Sequence, residues 1–484
     1  MEVVLPTVDW GAVLPELVVG GFAILILLLD ALAPTKRGDG IAYLTLGGTL
    51  LALAISIQMW GRSASVFNGM LILDRYGTLF GIIFLVGTAL TIFLSIDYLK
   101  REEIWRGEYY VLLLTATLGM MLMASGGNLL IIFLGLELMS LSLYVLAGFM
   151  RTEATSNEAA LKYFLLGAFA TGFLLYGIAM IYGATGTTDL QEIVGRLSEG
   201  GTRSSLVLLG TVLLIVGFGF KIAAVPFHMW TPDVYEGAPT CVTAFLSAGP
   251  KAAGFAAFFR VFVFGLERLQ VEWSAVLWVL AVLTMSVGNL AAISQRSIKR
   301  MLAYSSIAHA GYVMVALLTG SALGVSSGLF YLFAYTLMNL GAFGVIILAG
   351  AKGEEHLDLS DYSGLGFRRP LLGLAMAVLM FSLAGFPPTA GFVGKFYIFS
   401  AAVEAGFVGL VIIGVLNSLV SVYFYLRVVV HMYMREAPRE YAFPFRSVPA
   451  VVGLCISVLG TMYIGLFPAD LLGLTRETIV SLLP

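Results

Sequence analysis

The chain has 484 residues, of which 59% are hydrophobic and only 12% charged, whereas a soluble domain carries about 45–50% apolar and about 25% charged residues. A water-soluble globule is excluded, and the same apolar wealth excludes a disordered chain. With 27 Lys and Arg against 29 Asp and Glu, nothing points to nucleic acid as a partner.

A spanning helix needs about 20 apolar residues, and fourteen such stretches predict an all-α polytopic membrane protein of about 14 transmembrane helices. Spans one to three cover 15–31, 41–60 and 76–98 and make an N-terminal part, 1–108. The first lacks a basic flank, so no cleaved signal peptide is expected. Spans four to eight cover 109–124, 128–149, 159–182, 204–234 and 240–264. Spans nine to thirteen cover 271–293, 298–318, 323–348, 371–404 and 407–434, and span fourteen covers 448–467. Loops following odd-numbered spans, with their edges, hold fifteen basic residues, and those following even-numbered spans and the C-terminal tail hold five. By the positive-inside rule both termini face outward.

Spans seven and twelve are too long for simple helices. The 204–234 stretch would be about 46 Å as one helix, against a hydrocarbon core of about 30 Å. Pro226 cannot donate to the carbonyl of Ile222, so the helix is expected to break one residue past Lys221. In span twelve, Gly385, Pro387, Pro388, Gly391 and Gly394 lead to Lys395 in the same way. Broken helices at corresponding places of two halves mark inverted repeats. The expected repeats are spans four to eight (109–265) and nine to thirteen (271–434), within one membrane domain, 1–484.

A charge inside the bilayer costs at least about 2.5–3.5 kcal/mol and is a functional candidate by default. Glu137 falls mid-way along span five, with Ser140 and Tyr144 at i+3 and i+7 on the same stripe. Lys162 lies early in span six, Lys221 and Lys395 at the two breaks, and Lys251 just after Pro250 in span eight. Burial disfavours the charged form of a lysine and a nearby carboxylate favours it, so a Glu137–Lys162 pair could exchange protons when its surroundings move. His228, seven residues past Lys221, and the Ser305, His309, Tyr312 face of span ten could continue a relay. Each candidate has a purely structural alternative: a Glu–Lys staple between helices, lysines capping freed carbonyls, or histidines as interhelical donors. Asp30, Asp97, Arg427 and the cluster Arg296, Lys299 and Arg300 sit at span ends as anchors or interface contacts.

Cys241 and Cys455 are the only cysteines, and the four histidines (His228, His309, His356 and His431) lie far apart. Neither set has metal-ligand or cluster spacing, and no phosphate-cradling glycine motif is present. No nucleotide, haem, metal or cluster is expected on this chain.

The stretches GNLLIIFLGLELMSLSLYVLAGF (127–149), EAALKYFLLGAFATG (158–172), KIAAVPFHMWTPDVYEGAPTCVTAFLSAGPK (221–251), RMLAYSSIAHAGY (300–312) and GFPPTAGFVGKF (385–396) closely resemble the subunit N family of bacterial proton-pumping NADH:quinone oxidoreductase, complex I. The wider family includes subunits L and M and the large subunits of Mrp-type sodium/proton antiporters. LKYF at 161–164 and DLSDYSGLGFRRP at 358–370 favour the N type, and the 17 residues after Phe467 leave no room for the lateral helix of subunit L. The resemblance implies proton translocation in the inner membrane, with neighbouring K- and M-type subunits and lipid as partners. It also implies that NADH, FMN, iron-sulfur clusters and quinone are held on other subunits. Glu137 and Lys162 match the family's charge pair, Lys221 its central proton carrier, Lys251 the connecting residue, Lys395 the output residue and His228 a polar link. His309 is a possible relay. Cys241 stands where the family's APTPVTAFL motif has proline. An Mrp-type antiporter or a related ferredoxin-linked complex is the alternative, as is a scaffold whose charges are structural.

Overall fold

A computed structural model describes residues 9–32, 39–198, 205–353, 357–436 and 446–480. His356 and the basic residues Lys36, Arg37, Arg203 and Arg439 lie outside them. The helices, in chain order, are α1 (Leu14–Leu32), α2 (Asp39–Gln58), α3 (Arg75–Arg101), α4 (Gly107–Ser125), α5 (Leu129–Ala147), α6 (Ala154–Thr185), the short α7 (Leu190–Arg196), α8 (Ser205–Ile222), α9 (Trp230–Gly237) and α10 (Thr240–Phe259). There follow α11 (Gln270–Ser294), α12 (Ile298–Leu318), α13 (Ala322–Ala349), the one-turn α14 (Leu365–Arg368), α15 (Pro370–Ala384), α16 (Ala390–Glu404), α17 (Val408–Met434), α18 (Val448–Leu466) and α19 (Pro468–Val480).

Among the described residues, 13 helices are long and apolar enough to cross a membrane. The remaining expected span, 371–404, is the broken pair α15 and α16, each half too short to count alone. Span seven is likewise divided, into α8 and α9, so both breaks fall where the prolines predict them.

Three elements depart from the sequence reading. A hairpin pairs Ala64–Val66 antiparallel with Leu71–Leu73, turning through Phe67, Asn68 and Gly69, all at positive φ. Helix α6 starts at Ala154 rather than 159, so Lys162 sits in its third turn. Helix α19 follows α18 and packs its Thr475 hydroxyl 2.9 Å from that of Ser326 in α13.

Local chemistry fixes the helix ends. Asp74, Asn128, Ser297, Ser321 and Ser447 each accept a backbone N–H at the start of α3, α5, α12, α13 and α18, satisfying one of the four donors that a helix start leaves open. Arg101 donates to the carbonyls of Ile347 and Gly350 at the end of α13, and Arg427 to those of Ile293 and Gln295 at the end of α11. Lys299 and Arg300 act on a neighbouring helix rather than on lipid: Lys299 is fully buried and donates to Ala238 at the end of α9.

Several close approaches between helices run through glycine, which lets backbones touch where lipid gives no hydrophobic drive. A β-carbon on Gly135 in α5 would lie 2.7 Å from the Gly119 carbonyl oxygen in α4, and one on Gly119 2.6 Å from that of Gly135. Gly177 of α6 and Gly210 of α8 meet in the same way, as does Gly288 of α11 against the Ala308 backbone of α12. Because backbone lies on both sides, Gly135→Leu is expected to lower stability by about 1–3 kcal/mol or more. Gly183→Leu, where a β-carbon meets nothing within 4 Å, is expected to be near neutral. Thermal unfolding of the purified complex checks the pair.

The bundle is buried unevenly. Helix α10 is enclosed along its whole length, and α12 and α13 almost so, while α1, α6 and α17 expose most of theirs. Lys251 on α10 and Lys299 and His309 on α12 therefore sit inside the protein rather than against lipid.

Candidate functional site

Asn128 starts α5 by accepting the Leu130 N–H at 2.8 Å, and the helix then carries Glu137, Ser140 and Tyr144 along one face. Glu137 Oε1 accepts the Thr171 hydroxyl of α6 at 2.8 Å. One turn on, the Ser140 hydroxyl accepts the Lys221 ammonium at 2.6 Å and itself donates back to the Leu136 carbonyl. Lys221 Nζ also lies 3.5 Å from the Tyr144 hydroxyl and 5.5 Å from its ring centre. Lys221 is 6% exposed, so this ammonium is held by one hydroxyl contact, a phenol and aromatic faces.

Lys221 ends α8 where the chain unwinds. Ala223 turns into the left-handed region at φ +60°, a conformation that costs a non-glycine residue about 1–2 kcal/mol. The freed backbone groups find partners: Val225 N–H donates to the Thr284 hydroxyl at 2.9 Å, and the Phe220 carbonyl accepts the Trp230 indole at 3.1 Å. Irregular backbone at membrane depth survives only with such replacements.

The Glu137–Lys162 pair expected from sequence is not formed. Lys162 Nζ instead meets Asp233 of α9 at 2.6 Å and Glu158 at 2.7 Å. Thr171, which holds Glu137, is nine residues further along α6, about 13 Å at 1.5 Å per residue, so Lys162 lies at a different height. Asp233 also accepts Arg300 at 2.8 Å, and Arg300 reaches Glu236 at 2.9 Å. This ion cluster ties α6, α9 and α12 together, and Lys162 within it is partly exposed.

Lys251 faces the opposite way, into α12. Its ammonium donates to the Ser306 carbonyl at 2.7 Å and to the Ser306 hydroxyl. Gly254, one turn after Lys251, brings α10 close to α8: a β-carbon there would sit 3.5 Å from Lys221 Cβ. The Ser305 hydroxyl bonds the Tyr425 hydroxyl of α17, which lies 2.8 Å from His309 Nε2, and His309 Nδ1 lies 2.5 Å from the Tyr331 hydroxyl of α13. Both imidazole nitrogens are thus engaged by phenols in a fully enclosed pocket.

Lys395, in α16 beyond the second break, donates to the carbonyls of Leu383 and Ala384 at 3.1 and 3.0 Å and to the Ser418 hydroxyl at 3.0 Å. Its Nζ stands 4.9 Å over the Tyr312 ring, and the Tyr312 hydroxyl accepts Asn289 Nδ2 at 3.2 Å. Two of these contacts are the carbonyl-capping role open to Lys395 in the sequence, made alongside a polar link to α17. The Ser305, His309, Tyr312 face is brought together as expected.

His228 is not brought into this row. It lies half-buried in the break between Ile222 and Trp230, beside Met229, which is 74% exposed. Among the described residues no hydrogen bond joins its ring to Lys221 or Lys251. Sequence reasoning also missed Thr171, Ser306, Tyr331, Ser418 and Tyr425. Hydroxyls donate and accept at once, so each contact in the row of groups from Glu137 to Lys395 can pass a proton, while among the described residues no hydrogen bond joins Lys221 to Lys251 or His309 to Lys395.

Residues 125–421 match the family NADH:quinone oxidoreductase/Mrp antiporter, TM. The chain is 51% identical over 474 residues to NADH-quinone oxidoreductase subunit N of Trichlorobacter lovleyi, covering 98% of this chain and 97% of that one. It is 46% identical to subunit N 2 of Roseiflexus castenholzii, covering 99% and 98%. Among solved structures, a chain of respiratory complex I from Thermus thermophilus superposes with a TM-score of 0.82 at 37% identity, over 96% of this chain and 99% of that one. A chain of the Mrp complex from Dietzia sp. superposes with a TM-score of 0.86 over 98% of each chain, and at 22% identity that likeness is one of fold.

Proposed function

We propose, because this chain belongs to the NADH-quinone oxidoreductase subunit N family, that it is the proton-translocating membrane subunit of a respiratory complex I and carries protons along the Glu137 to Lys395 row. The observation that carries this reading is three nearly buried lysines, Lys221, Lys251 and Lys395, each bonded to a hydroxyl on a neighbouring helix. A membrane-buried ammonium is costly and is by default a sign of function, and here each has a partner that can take and return a proton. The chain performs no redox step; NADH, FMN, iron-sulfur clusters and quinone belong to other subunits of the complex.

In this mechanism a neighbouring membrane subunit, of K or M type, perturbs the exposed α5 and α6 face. The Glu137–Thr171 contact shifts, and the charge balance around Lys221 shifts with it. A proton released there passes through water to Lys251, which donates to Ser306, and the Ser305–Tyr425–His309 chain beginning one residue away carries it toward Lys395. The Lys162–Asp233–Arg300 cluster acts as a coupling strut, because it joins α6 to α9, the second half of the broken helix. The groups titrate as a coupled set, not singly.

The expected inverted repeats, 109–265 and 271–434, are supported by a correspondence in the two halves. Lys221 beside the first break stands over Tyr144 of α5, and Lys395 beside the second stands over Tyr312 of α12. The surplus of basic residues in loops after odd-numbered spans supports an inner-membrane topology with both termini outward.

Assembly is tested by running the tagged chain, solubilised in mild detergent, on a native gel stained for NADH dehydrogenase activity. Activity at a high-mass band containing the chain is expected. A band with membrane partners alone and no NADH activity would overturn the assignment in favour of an antiporter or another electron donor.

A further inference from the structure

A groove of about 800 Å³ runs between α15 and α18, away from the proton row, with walls that are almost entirely aliphatic. Leu374 on one side and Val451, Cys455 and Leu459 on the other line it, and it opens sideways, with Leu374 56% and Leu459 69% exposed. One end carries charge: Arg369, immediately before α15, and Arg446, two residues before α18, both border it. Helices α15 and α18 start at this same end.

The dimensions match half a bilayer. From Val448 to Leu459 the groove wall is about 16 Å of helix at 1.5 Å per residue, and one leaflet of a hydrocarbon core about 30 Å thick is about 15 Å. An aliphatic slot one leaflet deep, ending at two guanidiniums level with the helix starts, has the form of a single acyl chain below a phosphate. Arginine forks suit phosphate oxygens, and basic pockets between transmembrane helices on the positively charged side of a membrane protein select anionic headgroups. The proximity of the two arginines adds to this, since burial and the Arg446 charge both disfavour the charged form of Arg369, and an anion between them removes the repulsion.

We propose that the α15/α18 groove is a binding site for one anionic phospholipid, its phosphate between Arg369 and Arg446 and an acyl chain lying along Val451, Cys455 and Leu459. The occupant is a lipid rather than free phosphate because the long apolar slot has no use for an ion alone. It is anionic rather than zwitterionic because, among the described residues, no acidic side chain lines the groove to receive an ammonium headgroup.

Cys455 reports occupancy. It is exposed in the groove wall, whereas Cys241 is buried, so maleimide alkylation of the intact complex, read on the Cys455 peptide by mass spectrometry, follows this site. In delipidated complex, phosphatidylglycerol at ten times its dissociation constant is expected to slow Cys455 alkylation about tenfold, and phosphatidylcholine at the same concentration is not. Arg369→Ala/Arg446→Ala, or Arg446→Glu alone, is expected to abolish the protection while leaving the lipid-free alkylation rate unchanged. Equal protection by both lipids, or protection that survives both arginine changes, would overturn the proposal. So would a Cys455 that stays unreactive in the delipidated complex but alkylates once the complex is dissociated into its subunits, since another protein would then fill the groove.

Discussion

Replacing Lys221 by alanine is expected to reduce proton translocation through this chain by about a hundredfold or more, the range lost when a positioned proton-transfer group is removed. Lys221 donates to Ser140, one turn beyond Glu137, and its Cβ lies where α8 packs against Gly254 of α10, one turn from Lys251. Without it the α5 stripe loses the lysine bonded to it, and what remains toward Ser306 is the phenols of Tyr144, Tyr163 and Tyr235. The fold tolerates the change: Ser140 keeps its bond to Leu136, and the break keeps its Val225–Thr284 and Trp230–Phe220 contacts. Lys221→Arg separates charge from proton transfer, because a guanidinium keeps the positive charge but does not release its proton. If the lysine served only as a structural charge, arginine would restore pumping; the relay predicts that it does not. NADH-driven acidification of vesicles, normalised to the amount of complex on a native gel, reads both variants.

Asp74→Ala is expected to destabilise the chain by about 3–5 kcal/mol, the cost of leaving one partner of a buried ion pair alone. Arg260 Nη2 lies 3.0 and 2.9 Å from the two Asp74 oxygens, and the two side chains are 4% and 8% exposed. Asp74 also caps α3 through the Gly77 N–H at 2.6 Å, and the Arg260 guanidinium stacks 4.7 Å from the Tyr76 ring centre. The pair anchors the end of the enclosed helix that carries Lys251, so its loss is felt at assembly as well as in melting. Asp74→Ala with Arg260→Met is expected to recover part of the stability, since no unpaired charge is then buried. Thermal unfolding and the yield of assembled complex measure the difference. A double variant no better than Asp74→Ala would assign the whole effect to the lost helix cap.

The spans and both breaks were legible because bilayer thickness imposes a length and proline removes a donor, and both marks are local in sequence. The hairpin at 64–73 left no such mark: its strands are three residues each and carry no alternating pattern long enough to read. Helix α19 buries Leu471, Leu472, Thr475, Thr478 and Ile479, an amphipathic stripe too polar to register as a span. In the site the charges were legible and the hydroxyls between them were not. Thr45, Thr49 and Ser56 each donate to the carbonyl four residues back, as Ser140 does, so a membrane hydroxyl in sequence does not reveal whether it also serves a lysine. Lys162 failed to meet Glu137 because loop length says nothing of the height at which two helices cross. Its partner Asp233 belongs to the second half of a broken helix whose direction only the fold determines.

The claim that Lys221 and Lys395 serve one continuous path is tested by measuring protons translocated per NADH oxidised in vesicles carrying Lys221→Ala, Lys395→Ala or both, each assembled to the same level. Members of one unit do not add, so each single variant is expected to lose this chain's whole contribution and the double variant to match the worse single. A double variant that pumps well below either single, or a single variant that pumps normally, would contradict it.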